Sequence, residues 1–186
     1  MKTKIKELYL KNHHEKTYEH VKNVSETSKI LALKFNLDPK KCEIAALLHD
    51  ISVIVQKEKM LQYAKDLKLS IYEAEKRYPF LLHQRLSAII AKNHFKIEDQ
   101  DILNAINYHT TLNQSPSDYE MLIFISDKLS WDQEGEPPYY KILNQALEIS
   151  LKEACKVYIN YVFEHQLILY PHDWLLEARQ YLNEFN

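Results

Sequence analysis

The sequence predicts an all-α protein, and three observations carry that expectation. Apolar residues recur at three- and four-residue spacing along most of the chain, which is the period of a helix with one buried face. A single glycine, Gly135, and six prolines supply little of the turn chemistry that a β architecture needs, and they exclude a glycine-rich phosphate loop. Helix-start signals stand ahead of apolar runs, the clearest being Asp38-Pro39, with the aspartate as N-cap and the proline as first helical residue.

Taken in order, the first long pattern covers about residues 14–35, with His20, Val24, Leu31 and Phe35 near one stripe. Asn36-Leu37 closes it. In the helix opened by Asp38-Pro39, Cys42, Ala45, Ala46 and His49 fall on one face. Asp50 follows about 100° further round, on an edge shared with Ala46 and Val53. After the charged stretch 56–59 come two short helical segments at about 60–67 and 71–77, ended by Tyr78-Pro79. The segment 81–94 places His83 on the stripe of Leu86 and Ile90. The segment 99–109 puts Ile102, Ala105, Ile106 and His109 on one apolar face. A loop at 110–118 leads to a helix at 120–130, where Asp127 shares a stripe with Ile123 and Phe124.

The stretch 131–138 is irregular, and 131–140, aromatic and proline-rich, fits either a pocket rim or a surface loop. A long helix over 139–166 and a short one over 172–185 complete the chain. At 186 residues the protein is expected to be a single domain, residues 1–186, with a core at about 14–130 and C-terminal helices at 139–186. Those last helices serve packing, a lid or an oligomer contact, and a homodimer is left open.

Charge narrows the function classes. Lys and Arg number 24 against 26 acidic residues, with no long block of either sign, so no nucleic-acid footprint is expected. No apolar run approaches the roughly 20 residues of a membrane span, and the charged start, Met1 to Glu7, lacks the apolar stretch of a signal peptide. Cys42 and Cys155 lie in helical patterns far apart, as reduced core thiols would. A cytoplasmic protein is the expectation.

The chemistry concentrates at His49-Asp50. A carboxylate pressed among apolar neighbours without a partner is costly and tends to take up a proton. Beside a divalent cation it stays ionised, and imidazole with carboxylate suits first-row metals. A second copy of the dipeptide, His172-Asp173, precedes the helical pattern of Trp174 to Arg179, where the aspartate reads as a first-turn or capping residue. Six donors, His20, His49, Asp50, His83, His109 and Asp127, fall on the inward stripes of five helical segments. Singly, a histidine on an apolar face is usually a hydrogen-bonded core residue; jointly, they fit the way helix bundles build metal sites.

The ordered pattern His20, His49-Asp50 and a distant Asp127 resembles the HD-domain metal-dependent phosphohydrolases, an all-α superfamily of helical bundles with a central metal site. More narrowly, Ala45 to Asp50, Asp101 to Thr110 and Ile123 to Leu129 resemble the YqeK-type symmetrical bis(5'-nucleosyl)-tetraphosphatases. The likeness implies two metal ions, iron foremost, with manganese, zinc, cobalt and magnesium as alternatives. Asp50 would bridge them as the central catalytic residue, with His20, His49 and Asp127 on one ion and His83 and His109 on the other. It implies hydrolysis of a small nucleotide, with diadenosine tetraphosphate split to ADP as leading reaction.

Two positions depart from that pattern: Val53 and Ile54 stand where the family has a lysine, and Gln133 where it has an arginine. Both missing groups are cations suited to phosphate oxygens. Thr110, Thr111 and Lys128 are the nearest substitutes for substrate binding, although Lys128 also reads as an exposed lysine on the far helix face. A nucleotide sensor without turnover, a mononucleotide phosphomonoesterase and an oxygen-using di-iron enzyme are the competing readings.

Overall fold

The computed structural model describes residues 1–184, and among them every regular element is helical. Eleven α-helices are described: α1 (Lys2–Lys11), α2 (Glu15–Lys34), α3 (Pro39–Leu48), α4 (Met60–Asp66), α5 (Glu73–Arg77), α6 (His83–Phe95), α7 (Gln100–Asn107), α8 (Asp118–Leu129), α9 (Tyr140–Leu147), α10 (Leu151–Glu164) and α11 (Asp173–Glu184). Short 3-10 turns at Ile51–Ile54, Lys57–Lys59 and Pro79–Leu82 join some of them. Phe185, expected in the last helix, lies outside the described residues.

Helix α3 is the axis of the bundle, in contact with α1, α2, α6, α7 and α8. Its Asp38 cap accepts a hydrogen bond from the Lys40 N–H at 2.8 Å. The small residues Cys42, Ala45 and Ala46 are buried and let neighbouring backbones come close. Helix α8 is buried along one unbroken run, Glu120 to Ser126, as a helix surrounded by others must be. It lies against α2, α3, α7 and α10. One apolar core runs through these helices and reaches α11 at Leu175 and Leu182, while Met60, Ala64, Leu82 and Leu86 form a smaller cluster under α4.

One helix is new and two expectations change. Residues 2–11 form α1, whose Ile5 and Tyr9 are buried; its many lysines masked that short apolar stripe. The helix expected over 139–166 is two helices, because Ser150 caps α10 by accepting from the Glu153 N–H at 3.0 Å. The Ser150–Glu153 spacing is a helix-start signature inside what periodicity alone reads as continuous. Third, α3 ends at Leu48, so Asp50 is set by the turn that follows and not by a continuing helix.

With so little glycine, the chain ends helices on other residues in the left-handed region, including His13, Asn36, Lys68, Lys96 and Gln166. After each of the five, the next N–H bonds back to a carbonyl six residues earlier than itself or five residues earlier, as Leu37 does to Ala32 at 2.8 Å and Ile97 to Ala91 at 3.2 Å. That closure is normally glycine's role.

Candidate metal centre

Each predicted donor arrives from a different part of the bundle. His20 comes from the middle of α2, and His49 closes α3. His83 opens α6 after the Pro79–Leu82 turn, His109 follows the end of α7, and Asp127 lies in the last turn of α8. Asp50 opens the 3-10 turn Ile51–Ile54, which is fastened to α6: Ser52 Oγ donates to the His83 carbonyl at 2.8 Å, and the Ser52 N–H donates to Ser87 Oγ at 3.1 Å.

All six meet. His20 Nε2 lies 2.9 Å from Asp127 Oδ1, and His49 Nε2 lies 3.6 Å from the same oxygen. His49 Nε2 is also 3.6 Å from Asp50 Oδ2. The other Asp50 oxygen, Oδ1, faces His83 Nε2 at 3.5 Å and His109 Nε2 at 3.6 Å. The two oxygens of one carboxylate thus look toward two sets of imidazoles. Donor atoms about 2.1 Å from a shared ion are at most about 4.2 Å apart, and every separation above falls within that reach.

Local bonds aim the rings. His49 Nδ1 donates to the Ala46 carbonyl at 2.7 Å, His83 Nδ1 to Phe80 at 2.7 Å and His109 Nδ1 to Ile106 at 2.8 Å. With Nδ1–H committed to a carbonyl, Nε2 is left as the lone-pair nitrogen, which is how metal-binding histidines are oriented. His49 Nε2 is buried with no hydrogen-bond partner. His83 Nε2 and His109 Nε2 stand 2.9 Å apart, so two lone pairs confront each other. Only a proton or a metal ion relieves that repulsion. Burial and the neighbouring His109 push the His83 pKa down to about 4, and burial also lowers His109, which disfavours the proton. These residues fit a metal ion.

The carboxylates have matching electrostatics. Burial would raise Asp50, yet His49, His109 and His83 outweigh it and hold the group well below the usual carboxylate range. Burial opposes charge on His49, but Asp50 and Asp127 overcome it and raise its pKa to about 9. Asp127 is likewise depressed against burial, by Lys128, His20 and His49.

The three candidates for substrate contact differ. Lys128 is mostly buried and ion-paired to Asp127 Oδ2, not an exposed lysine on the far face. The Thr110 hydroxyl lies 3.1 Å from His83 Nε2. The Thr111 hydroxyl is buried and occupied with Gln84 at 3.2 Å and the Leu112 carbonyl at 3.0 Å. Val53 and Ile54 line a surface cavity that also contains Lys57, while Gln133 is exposed in the loop after α8.

Two cavities adjoin the centre. One, of about 610 Å³, reaches it at His20 and Asp50 and is lined by polar side chains including Glu15, Glu19 and Asp132. The other, of about 480 Å³, shares Thr110 and Lys128 with the surroundings of the centre and is walled by Phe124, Trp131, Tyr139 and Tyr158. Sequence reasoning did not connect Tyr139 and Tyr158 to the site, since their periodicity reads as ordinary packing. The aromatic content of 131–140 was the available signal, and its Trp131, Pro138 and Tyr139 line the cavity while 132–136 are exposed.

An all-α bundle with this His/Asp cluster is the architecture of a metal-dependent hydrolase, and comparison with known proteins agrees. Residues 17–132 match the model of the HD domain. The chain is 33% identical over 146 residues to the symmetrical bis(5'-nucleosyl)-tetraphosphatase of Bacillus subtilis, covering 75% of this chain and 78% of that protein. It is 34% identical over 137 residues to an uncharacterized protein in the pepC 5' region of Lactococcus lactis subsp. cremoris, covering 74% and 70%. In structure it is similar, with a TM-score of 0.88 and 29% identity, to a Clostridium acetobutylicum protein described as a predicted HD superfamily hydrolase involved in NAD metabolism, over 100% of this chain and 98% of that one. The chain belongs to the HD-domain family. Within it, the protein is a phosphohydrolase.

Proposed function

We propose that the protein hydrolyses dinucleoside polyphosphates at a pair of first-row metal ions, with diadenosine tetraphosphate split symmetrically to two ADP. The single observation that carries this reading is the position of Asp50, whose two oxygens face His49 on one side and His83 with His109 on the other. Relatives named as symmetrical bis(5'-nucleosyl)-tetraphosphatases support the substrate.

In this reading His20, His49 and Asp127 would hold one ion and His83 and His109 the other, with Asp50 serving both; iron is the leading metal. When bound, such ions polarise a phosphoryl group and lower the pKa of water. The chain's own residues hold the donors: three backbone carbonyls keep the Nε2 lone pairs turned inward, and depressed pKa values keep both carboxylates ionised. Lys128 offsets the charge of Asp127 and places a cation beside the aromatic cavity. A cysteine nucleophile is disfavoured, because burial pushes Cys42 up to about 12 and raises Cys155 as well.

The test is elemental analysis of the purified protein followed by a nucleotide panel with iron or manganese present. ADP as sole product of diadenosine tetraphosphate, with turnover abolished by chelation, is the expected result. Absence of metal-dependent turnover of any nucleotide would point instead to a sensor, as the replaced cations at Val53 and Gln133 suggest.

A further inference from the structure

The two cavities beside the metal centre are chemically unlike, and the difference assigns them different occupants. Besides Asp50, the polar one sets three carboxylates, Glu15, Glu19 and Asp132, against a single lysine, Lys16, which is a poor setting for a second polyanion. The other has Lys128 as its one Lys or Arg among the described residues. That lysine sits at the inner end, ion-paired to Asp127.

The aromatic cavity is walled by a chain of edge-to-face rings. Phe124 and Tyr158 have centroids 5.5 Å apart at 79°, Tyr158 and Tyr139 are 4.9 Å apart at 86°, and Tyr139 and Trp131 are 6.2 Å apart at 90°. Lys128 lies over Phe124 at 5.1 Å and Tyr161 also packs on Tyr139 at 5.8 Å, whereas Trp131 has Tyr139 as its one ring partner among the described residues; edge-to-face contact engages at most one face of a ring, so a face of Trp131 remains for a further planar group. The Tyr139 hydroxyl bonds to the Lys128 carbonyl at 3.3 Å, fastening this wall to the end of α8. The buried Trp131 indole N–H has no acceptor in the protein. A purine or pyrimidine offers a flat π face to such a ring.

We infer that this cavity is the nucleobase seat of the substrate, with Trp131, Tyr139 and Tyr158 as its walls and Lys128 supplying the cation toward the adjoining phosphate. The inference rests on the function proposed above. One nucleoside is gripped by stacking, and the half of the substrate on the polar side is held more loosely.

The test is calorimetric binding of ADP and of inorganic pyrophosphate to the metal-loaded protein. Trp131→Leu is expected to weaken ADP binding about tenfold or more, the scale of one lost base–aromatic stack, while pyrophosphate affinity and metal content stay unchanged. Trp131→Phe should recover most of the loss. Equal affinity of wild type and Trp131→Leu for ADP, or parallel losses for ADP and pyrophosphate, would overturn the inference. Wild-type protein gives a check that needs no variant: ADP, and not pyrophosphate, should quench tryptophan emission. Hydrolysis of diadenosine tetraphosphate without that quenching would overturn the base seat and leave the proposed function standing. Failure to bind or turn over any nucleotide would overturn both.

Discussion

The chain contains His-Asp twice, and the two copies have opposite fates. In both copies the imidazole Nε2 is buried without a hydrogen-bond partner, but at His49-Asp50 the carboxylate is surrounded by histidines, His49 itself, His83 and His109. At His172-Asp173 the histidine Nδ1 accepts the Trp174 N–H at 3.1 Å, so His172 caps α11 while Asp173 takes a place in its first turn. His172 Nε2 lies 3.5 Å from Glu75, a carboxylate already bound through both oxygens by Arg85 at 2.8 and 3.0 Å. The dipeptide therefore does not determine the chemistry. What decides is whether other donors converge on it or a structural ion pair has already absorbed the charge.

The sharpest way to break this contrast is to remove each aspartate. Asp50→Ala should lose bound metal and lower hydrolysis by about a thousandfold or more, since several kcal/mol of charge stabilisation go with the ion. Asp173→Ala should change neither, as elemental analysis and initial rates would show. Arg85→Met probes the second region: it strands the Glu75 carboxylate in the core and is expected to cost about 3–5 kcal/mol of unfolding free energy. Denaturant titration would reveal it.

The pH dependence of metal-free protein separates the regions further. His49, raised to about 9, contributes stability that is complete below its unfolded pKa near 6.5 and is lost as pH climbs through 9. His83, lowered to about 4, contributes stability that is present above about 6.5 and is lost as pH falls through 4. Stripped protein should therefore be most stable at about pH 6 to 7 by thermal melting, and bound metal should flatten the profile. His172→Ala, with the smallest effect, removes a helix cap and should cost about 1 kcal/mol without changing metal content.

Much of this was legible before any coordinates. Asp38-Pro39 marked the start of α3, and the 3.6-residue period placed His49, His83, His109 and Asp127 inward, because burial acts on faces and faces are periodic. The 3-10 turn that re-aims Asp50 was not legible, since it depends on Ser52 reaching α6. Capping by His172 was hidden for a similar reason: aspartate is the commoner cap, and only the bond from the Trp174 N–H to His172 Nδ1 shows which residue took the role. The buried Glu75–Arg85 pair joins α5 to α6 across ten positions, beyond what any local pattern reports.

The carbonyl bonds behind His49, His83 and His109 each span three residues. These three imidazoles are thus each steered by their own turn of backbone, whereas His20, whose Nδ1 is buried without a partner, is not. An ion held there would then come and go past His20, at the mouth of the polar cavity, while the other three rings stayed fixed to their helices.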